Sequence, residues 1–308
     1  MGSASSRRRG LAAWLGRIVA AATLGYLGYL TVEGSRRIVS PGRRPFAPAE
    51  GEPATPGDIG LAYEDVRFTT DDGVTLSGWL IPAGRETRAA VVLMHGFSWH
   101  RLPWLAGFVP WLQPRYHVLQ FDFRGHGSSG DALITLGTLE QRDVGAAVHF
   151  LQGRGLGPIA LMGISMGGSV ALMAAPDLPV AAVIADAAYA DLRNPISNRM
   201  REAGYPLTRL GASLVVGAAS LRAGVRLRSP MQRVSHIAPR ALLLISPGED
   251  HLVSPGQSRR LFAAAGEPKE LFEVEGAAHA EAHSIAPESY EARVLDFLAR
   301  HLDGVPPV

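Results

Sequence analysis

Pro158-Ile159-Ala160-Leu161-Met162-Gly163-Ile164-Ser165-Met166-Gly167-Gly168-Ser169-Val170-Ala171-Leu172-Met173-Ala174-Ala175 is the stretch on which the reading of this chain turns. Its first five residues form a short apolar run that ends at a glycine, the pattern of a buried parallel strand. Its last eight, from Gly168 to Ala175, read as a helix rich in small residues. Between them Gly163-Ile164-Ser165-Met166-Gly167 fits G-x-S-x-G. Strand, tight turn and helix together are the setting in which such a serine becomes a nucleophile. The strained turn lifts the hydroxyl above the sheet, and the glycines let strand and helix pass closely. In a chain with 35 glycines the five-residue match carries little weight alone. The elements on either side give it meaning.

A serine hydroxyl is a poor nucleophile at neutral pH. It needs a base, an acid that orients the base, and donors for the developing oxyanion. Each has a candidate. His279 lies in Glu275-Gly276-Ala277-Ala278-His279-Ala280-Glu281, after the expected last strand Leu271-Phe272-Glu273-Val274 and before a final helix. His283, four residues on, is its rival. Asp250 follows the apolar run Ala241-Leu242-Leu243-Leu244-Ile245. Glu249 is adjacent and chemically able, but the spacing of Asp250 to Val253 and to the helix start at Ser254-Pro255 suits an acid in this turn. His95-Gly96-Phe97 closes another buried-strand run, Ala89 to Met94. The backbone N–H groups of Phe97 and Met166 are therefore expected to form the oxyanion hole. The stretch Asp122-Phe123-Arg124-Gly125-His126-Gly127-Ser128-Ser129 follows the strand His117 to Phe121 and reads as structural, a glycine turn that shapes the floor of the site.

With these segments in place, the chain resembles the α/β-hydrolases of the serine aminopeptidase-like and monoacylglycerol-lipase-like group, including bacterial members with an N-terminal membrane segment. The resemblance is carried by His95-Gly96-Phe97, the Asp122–Ser129 stretch, Thr135-Leu136-Gly137 with Glu140 and Asp143, the Ser165 turn, Ser229-Pro230, Asp250-His251-Leu252-Val253 and Gly276-Ala277-Ala278-His279. It covers residues 61 to the C-terminus. It implies a mostly parallel sheet covered by helices on both faces, Ser165, Asp250 and His279 as the triad, and Phe97 and Met166 as oxyanion donors. Such proteins often have a glycine three residues before the acid, where this chain has Pro247.

Composition narrows the alternatives. With 308 residues, 47% of them hydrophobic, the chain is long enough for one large domain and an extension. There is no cysteine, which excludes disulfides, thiol catalysis and Cys-ligated zinc. No H-E-x-x-H or G-x-x-x-x-G-K pattern is present, so no metal and no cofactor is implied. Lys269 is the only lysine, and the arginines are scattered without interleaved aromatics, which argues against a nucleic-acid partner.

The first sixty residues differ from the rest. A basic tail, residues 1–10, precedes an apolar stretch, residues 11–32, broken only by Arg17. That length suits a transmembrane helix, with Tyr26 and Tyr29 placed for an interface. A cleaved signal peptide is the rival, but no A-x-A site follows the apolar core. Arginines flank the stretch on both sides, so the positive-inside rule assigns no orientation. Residues 33–60, rich in Pro, Gly and Ala from Ser40 onward, read as an extended tether. The hydrolase domain is expected over 61–308, with a helical lid inserted at 191–228. The expected activity is hydrolysis of small-molecule carboxylic esters by a membrane-anchored serine hydrolase, the apolar lid and the anchor together pointing to acyl esters with a hydrophobic part. A peptidase or amidase with the same triad, and a catalytically silent membrane scaffold, are the alternatives.

Overall fold

The computed structural model describes residues 2–303. Met1 of the expected basic tail and residues 304–308 of the expected hydrolase domain lie outside that range. The sheet opens with a hairpin of β1 (Glu64–Thr69) and β2 (Thr75–Ile81), paired in the register Thr69↔Thr75. Gly73 turns it at φ 85°, a conformation that favours glycine. Then follow β3 (Ala90–Met94), β4 (His117–Phe121), β5 (Ile159–Ile164), β6 (Ala182–Asp186), β7 (Ala241–Pro247) and β8 (Lys269–Val274). The spatial order is β1-β2-β4-β3-β5-β6-β7-β8, parallel from β4 onward.

The apolar runs are buried on both faces, and their alternate residues feed two cores. In β3, Val91 and Leu93 join one core while Val92 and Met94 join the other. The first core is closed by α2 (Leu105–Leu112) and α9 (Pro287–Leu302), the latter preceded by the single turn α8 (Ala282–Ile285). The second is closed by α3 (Glu140–Gly153), α4 (Met166–Ala174) and α7 (Gly256–Ala264).

The expected insertion forms two helices, α5 (Arg193–Glu202) and α6 (Thr208–Ala223), between β6 and β7. On α6, Gly211, Ala212, Val215 and Ala219 are buried. Leu207, at its start, and Leu210, Leu214 and Leu221 on its other side are exposed.

The N-terminal segment departs from the expected boundaries. One helix, α1 (Gly2–Val39), runs past both ends of the 11–32 stretch. Residues 10–39 hold a stretch long and apolar enough to cross a membrane, with a mean hydropathy of 1.4 over its 18 most apolar consecutive residues. A helix does not end where hydropathy falls. Glu33 takes Arg36 and Arg37 as ion-pair partners three and four residues on, which supports the extra turns. Nor does α1 stand clear of the domain. From Tyr26 onward it packs along α6: the Tyr26 hydroxyl donates to the Pro206 carbonyl at 2.9 Å. Leu30 is buried against Met200 and Ala212. A Cβ on Gly34 would lie 2.7 Å from Val215. Arg222 Nε donates to Ser35 Oγ at 2.8 Å. Burial of one leucine such as Leu30 stabilises this contact by about 2 kcal/mol.

The 33–60 stretch is likewise not a free tether. Arg43 donates to the carbonyls of His126 and Ser129 at 2.9 and 2.7 Å and pairs with Asp131 at 2.6 Å. Phe46 packs on Trp79, His100 and Arg101.

Candidate active site

The elbow is built by close approach. A Cβ on Gly163 would lie 2.2 Å from the Gly167 backbone, and one on Gly167 would lie 2.4 Å from the Met94 carbonyl. Only glycine at both positions lets α4 start directly against β5 and β3. Ser165, between them, is held at φ 56° and ψ −113°, a strained conformation for a residue with a side chain. The strain is held by the Ser165 N–H, which donates to the Asp186 carbonyl at 2.8 Å, and by the Ser165 carbonyl, which accepts from Ser169 Oγ at 3.0 Å.

Ser165, His279 and Asp250 come together from the ends of β5, β8 and β7. His279 Nδ1 lies 2.6 Å from Asp250 Oδ2, and His279 Nε2 lies 2.9 Å from Ser165 Oγ. An ionised carboxylate only accepts, so Nδ1 carries the proton and Nε2 presents its lone pair to the serine hydroxyl. Asp250 is buried, and its second oxygen accepts from the N–H groups of Leu252 and Val253 at 2.9 and 2.7 Å. Both oxygens are thus committed and the carboxylate is aimed. Glu249 is exposed. The rival His283 lies elsewhere, donating to or accepting from Glu291 at 2.9 Å and stacked on Trp111 beside Phe108.

The N–H groups of Phe97 and Met166 have no hydrogen-bond acceptor among the described residues, and both residues line the cavity above Ser165. Gly96 brings the Phe97 loop close, since its Cβ would lie 3.6 Å from Ser165 Cβ.

Two imidazoles pin that loop, a function the sequence reading did not assign. His126 Nδ1 donates to the Arg124 carbonyl at 2.8 Å, and Nε2 accepts from the Ser98 N–H at 3.2 Å. His95 Nδ1 donates to the Gly96 carbonyl at 2.7 Å while Nε2 accepts from the Phe123 N–H at 3.0 Å. Burial pushes both imidazoles below the usual histidine range, which keeps them neutral and able to accept. Asp122 accepts from the Arg101 and Ser128 N–H groups at 2.8 Å each and pairs with the Arg101 guanidinium. The floor of the site is held by this network.

Asp186 was also missed. Its side chain is buried at the end of β6, beside the elbow strand, and accepts from the Tyr290 hydroxyl at 3.0 Å. Burial raises its carboxyl to about 7. An acid that closes the apolar run Ala182 to Ala185 is the signal in the sequence.

Above Ser165 lies an apolar cavity of about 430 Å³. Phe97, Leu136, Met166, Tyr189 and Leu252 form its base, Leu192, Ile196 and Met200 belong to the lid, and Leu30, Gly34 and Ile38 come from α1. Among the described residues no group of three or more histidines and carboxylates is placed to hold a metal ion. The arrangement has the parts for acyl transfer: a hydroxyl bonded to an imidazole, a buried carboxylate behind it, and N–H groups without an acceptor beside it among the described residues.

The sequence profile described as the alpha/beta hydrolase family matches residues 91–296. The polyketide transferase grgF of Penicillium sp. is 30% identical over 288 residues, covering 79% of this chain and 98% of its own. The uncharacterised protein YfhR of Escherichia coli K12 is 27% identical, covering 78% and 82%. Among solved structures, an esterase of Pyrococcus furiosus superposes with a TM-score of 0.70 at 29% identity, covering 80% of this chain and 94% of that one. On fold, sequence and extent together, the chain belongs to the alpha/beta hydrolase family.

Proposed function

We propose that the chain is a membrane-anchored serine hydrolase that cleaves carboxylic esters whose acyl part is hydrophobic. The observation that carries this is the hydrogen-bonded line Ser165–His279–Asp250 opening into an apolar cavity. His279 Nε2 takes the proton as Ser165 Oγ attacks the acyl carbonyl. The N–H groups of Phe97 and Met166 receive the oxyanion. The imidazolium, balanced by Asp250, passes its proton to the leaving alkoxide, and the alcohol departs. Water then repeats the cycle: it gives a proton to His279 Nε2 as its oxygen bonds the acyl carbon, the bond from that carbon to Ser165 Oγ breaks, His279 returns the proton to Oγ, and the acid departs.

The esterase among the similar structures supports the ester as substrate, and the apolar lining supports an acyl chain rather than a peptide. Helix α1, exposed over Leu11 to Ala22 and continuous beyond it, supports the membrane anchor. The likeness to a polyketide transferase favours one second reading, in which an alcohol rather than water takes the acyl group.

A fluorophosphonate probe and a panel of acyl esters, applied to the full-length protein and Ser165→Ala, test the proposal. Labelling and turnover that vanish in Ser165→Ala are expected. Parental protein that neither labels nor turns over any ester overturns it. Faster cleavage of aminoacyl arylamides than of esters replaces the esterase by an amidase. Release of free acid, rather than a new ester, distinguishes hydrolysis from transfer.

A further inference from the structure

We infer that α1 is a working wall of the substrate site, and that the acyl chain of an ester lipid enters the cavity sideways from the bilayer, between α1 and the α5–α6 turn. The inference rests on the esterase reading above and adds where the substrate comes from.

Three observations converge. The cavity is continuous from Ser165 to Tyr29 and Leu30 on α1 and to Ala203 and Tyr205 in the α5–α6 turn. That turn is tied to α1 by the hydrogen bond from Tyr26 to Pro206. The level of this bond on α1 follows from helix geometry. Counted from Leu11, about 20 residues at about 1.5 Å each cross a hydrocarbon layer of about 30 Å and end at Leu30. Tyr26 and Tyr29 therefore sit at the edge of the leaflet, where tyrosines are favoured. The far end of the cavity, lined by Tyr29, Leu30, Ala203 and Tyr205, lies at the same level.

The lid shows a matching surface. Leu207 and Leu210 are 52% and 49% exposed beside Tyr205, next to the part of α1 that would be leaving the lipid. Leu214 continues the same side of α6. Exposed leucines gathered at the start of a helix whose other side is packed, next to α1, suit an apolar neighbour there. The leaflet that holds α1 is that neighbour. Arg199, Arg201 and Arg209 flank the turn and are exposed, suited to headgroups. An ester lipid whose tail slides along Leu30 and Met200 reaches Ser165 without crossing water.

The test uses the full-length protein in phosphatidylcholine vesicles. The chain has no cysteine, so Leu210→Cys and Leu221→Cys each take a single nitroxide label. The two positions lie about 16 Å apart along α6. The label at 210 is expected to collide with oxygen and to be shielded from a water-soluble nickel chelate, and the label at 221 to behave in the reverse way. Equal exposure of both labels to nickel overturns the inference.

A kinetic arm pairs Leu210→Glu with Leu214→Glu, both outside the cavity. Turnover of a vesicle-borne long-chain diacylglycerol should fall by about tenfold while p-nitrophenyl butyrate hydrolysis stays within about twofold of the parent. Unchanged turnover of the vesicle-borne lipid by the double variant overturns lateral entry. A parent that hydrolyses the soluble ester but never the lipid also overturns it, with the esterase reading left standing. A parent that hydrolyses neither ends the esterase reading, and the delivery route falls with it.

Discussion

Below Ser165, polar groups are locked in place: Asp250 commits both carboxylate oxygens, and His95 and His126 each use both ring nitrogens. Above it, the roof is mostly apolar side chains and small residues on α1, α5 and α6, with Glu33, Arg37 and Arg199 among them, and these helices are drawn from distant parts of the chain. The floor is held by directional bonds that tolerate little displacement. The roof is held by packing, which tolerates a change of shape at a graded cost. Changes below should therefore act on kcat, and changes above on which ester is accepted.

The strongest way to break that division is Ser165→Ala. Turnover should fall by about three orders of magnitude or more with the thermal midpoint nearly unchanged. Ester turnover within about tenfold of the parent would place the nucleophile elsewhere. Asp250→Asn comes next, with a loss of about three to four orders of magnitude in kcat if the acid sets the imidazole tautomer, whereas Glu249→Gln should stay within about twofold. Equal losses for the two would move the acid out of the floor. His126→Ala, which frees the Ser98 N–H, should lower kcat by about tenfold and leave KM nearly unchanged, because it loosens the loop that offers Phe97 rather than removing a donor. A KM effect of the same size would make His126 part of the roof.

Gly34→Leu probes the other side. Its side chain drives α1 away from Val215 and should raise KM for long acyl esters by a few-fold more than for short ones. The smallest effect is expected on stability at Asp186. An unfolded aspartate ionises near pH 4, whereas the folded carboxyl is raised to about 7 by burial. Between these values only the folded state holds the proton, so stability present at low pH is lost as pH rises towards about 7. Asp186→Asn should flatten that slope in denaturant titrations at pH 4 to 8. An unchanged slope would show that Asp186 is not the source.

The floor was legible in the sequence because its signals are local. Val91 to Met94 and Leu242 to Ile245 announce buried strands; Ser165 and Asp250 each follow one such run, and His279 follows the half-buried last strand. The choice of Asp250 over Glu249 rested on its distance from Val253, and it is the Val253 N–H that Asp250 holds. The roof was not legible. Glu33, Arg36 and Arg37 end an apolar window, yet their pairing continues the helix. The grip of Arg43 on the His126–Asp131 turn joins residues more than eighty positions apart, and no local pattern encodes it. The pinning of the Phe97 loop by His126 was hidden for the same reason, although the glycines around it marked the turn.

The packing of α1 on the lid has a consequence in the order of synthesis. Gly34 leaves the ribosome long before Met200, Ala212 and Val215 exist to cover it. At about 5–20 residues per second, the roughly 180 residues between them take about ten to forty seconds to make. Leu30, Gly34 and Ile38 thus wait as one finished wall of a room not yet built, and the later helices α5 and α6 dock onto a helix already in place. Assembly of the cavity is therefore templated by a segment made well before the lid, and the cavity closes only where that segment has come to rest.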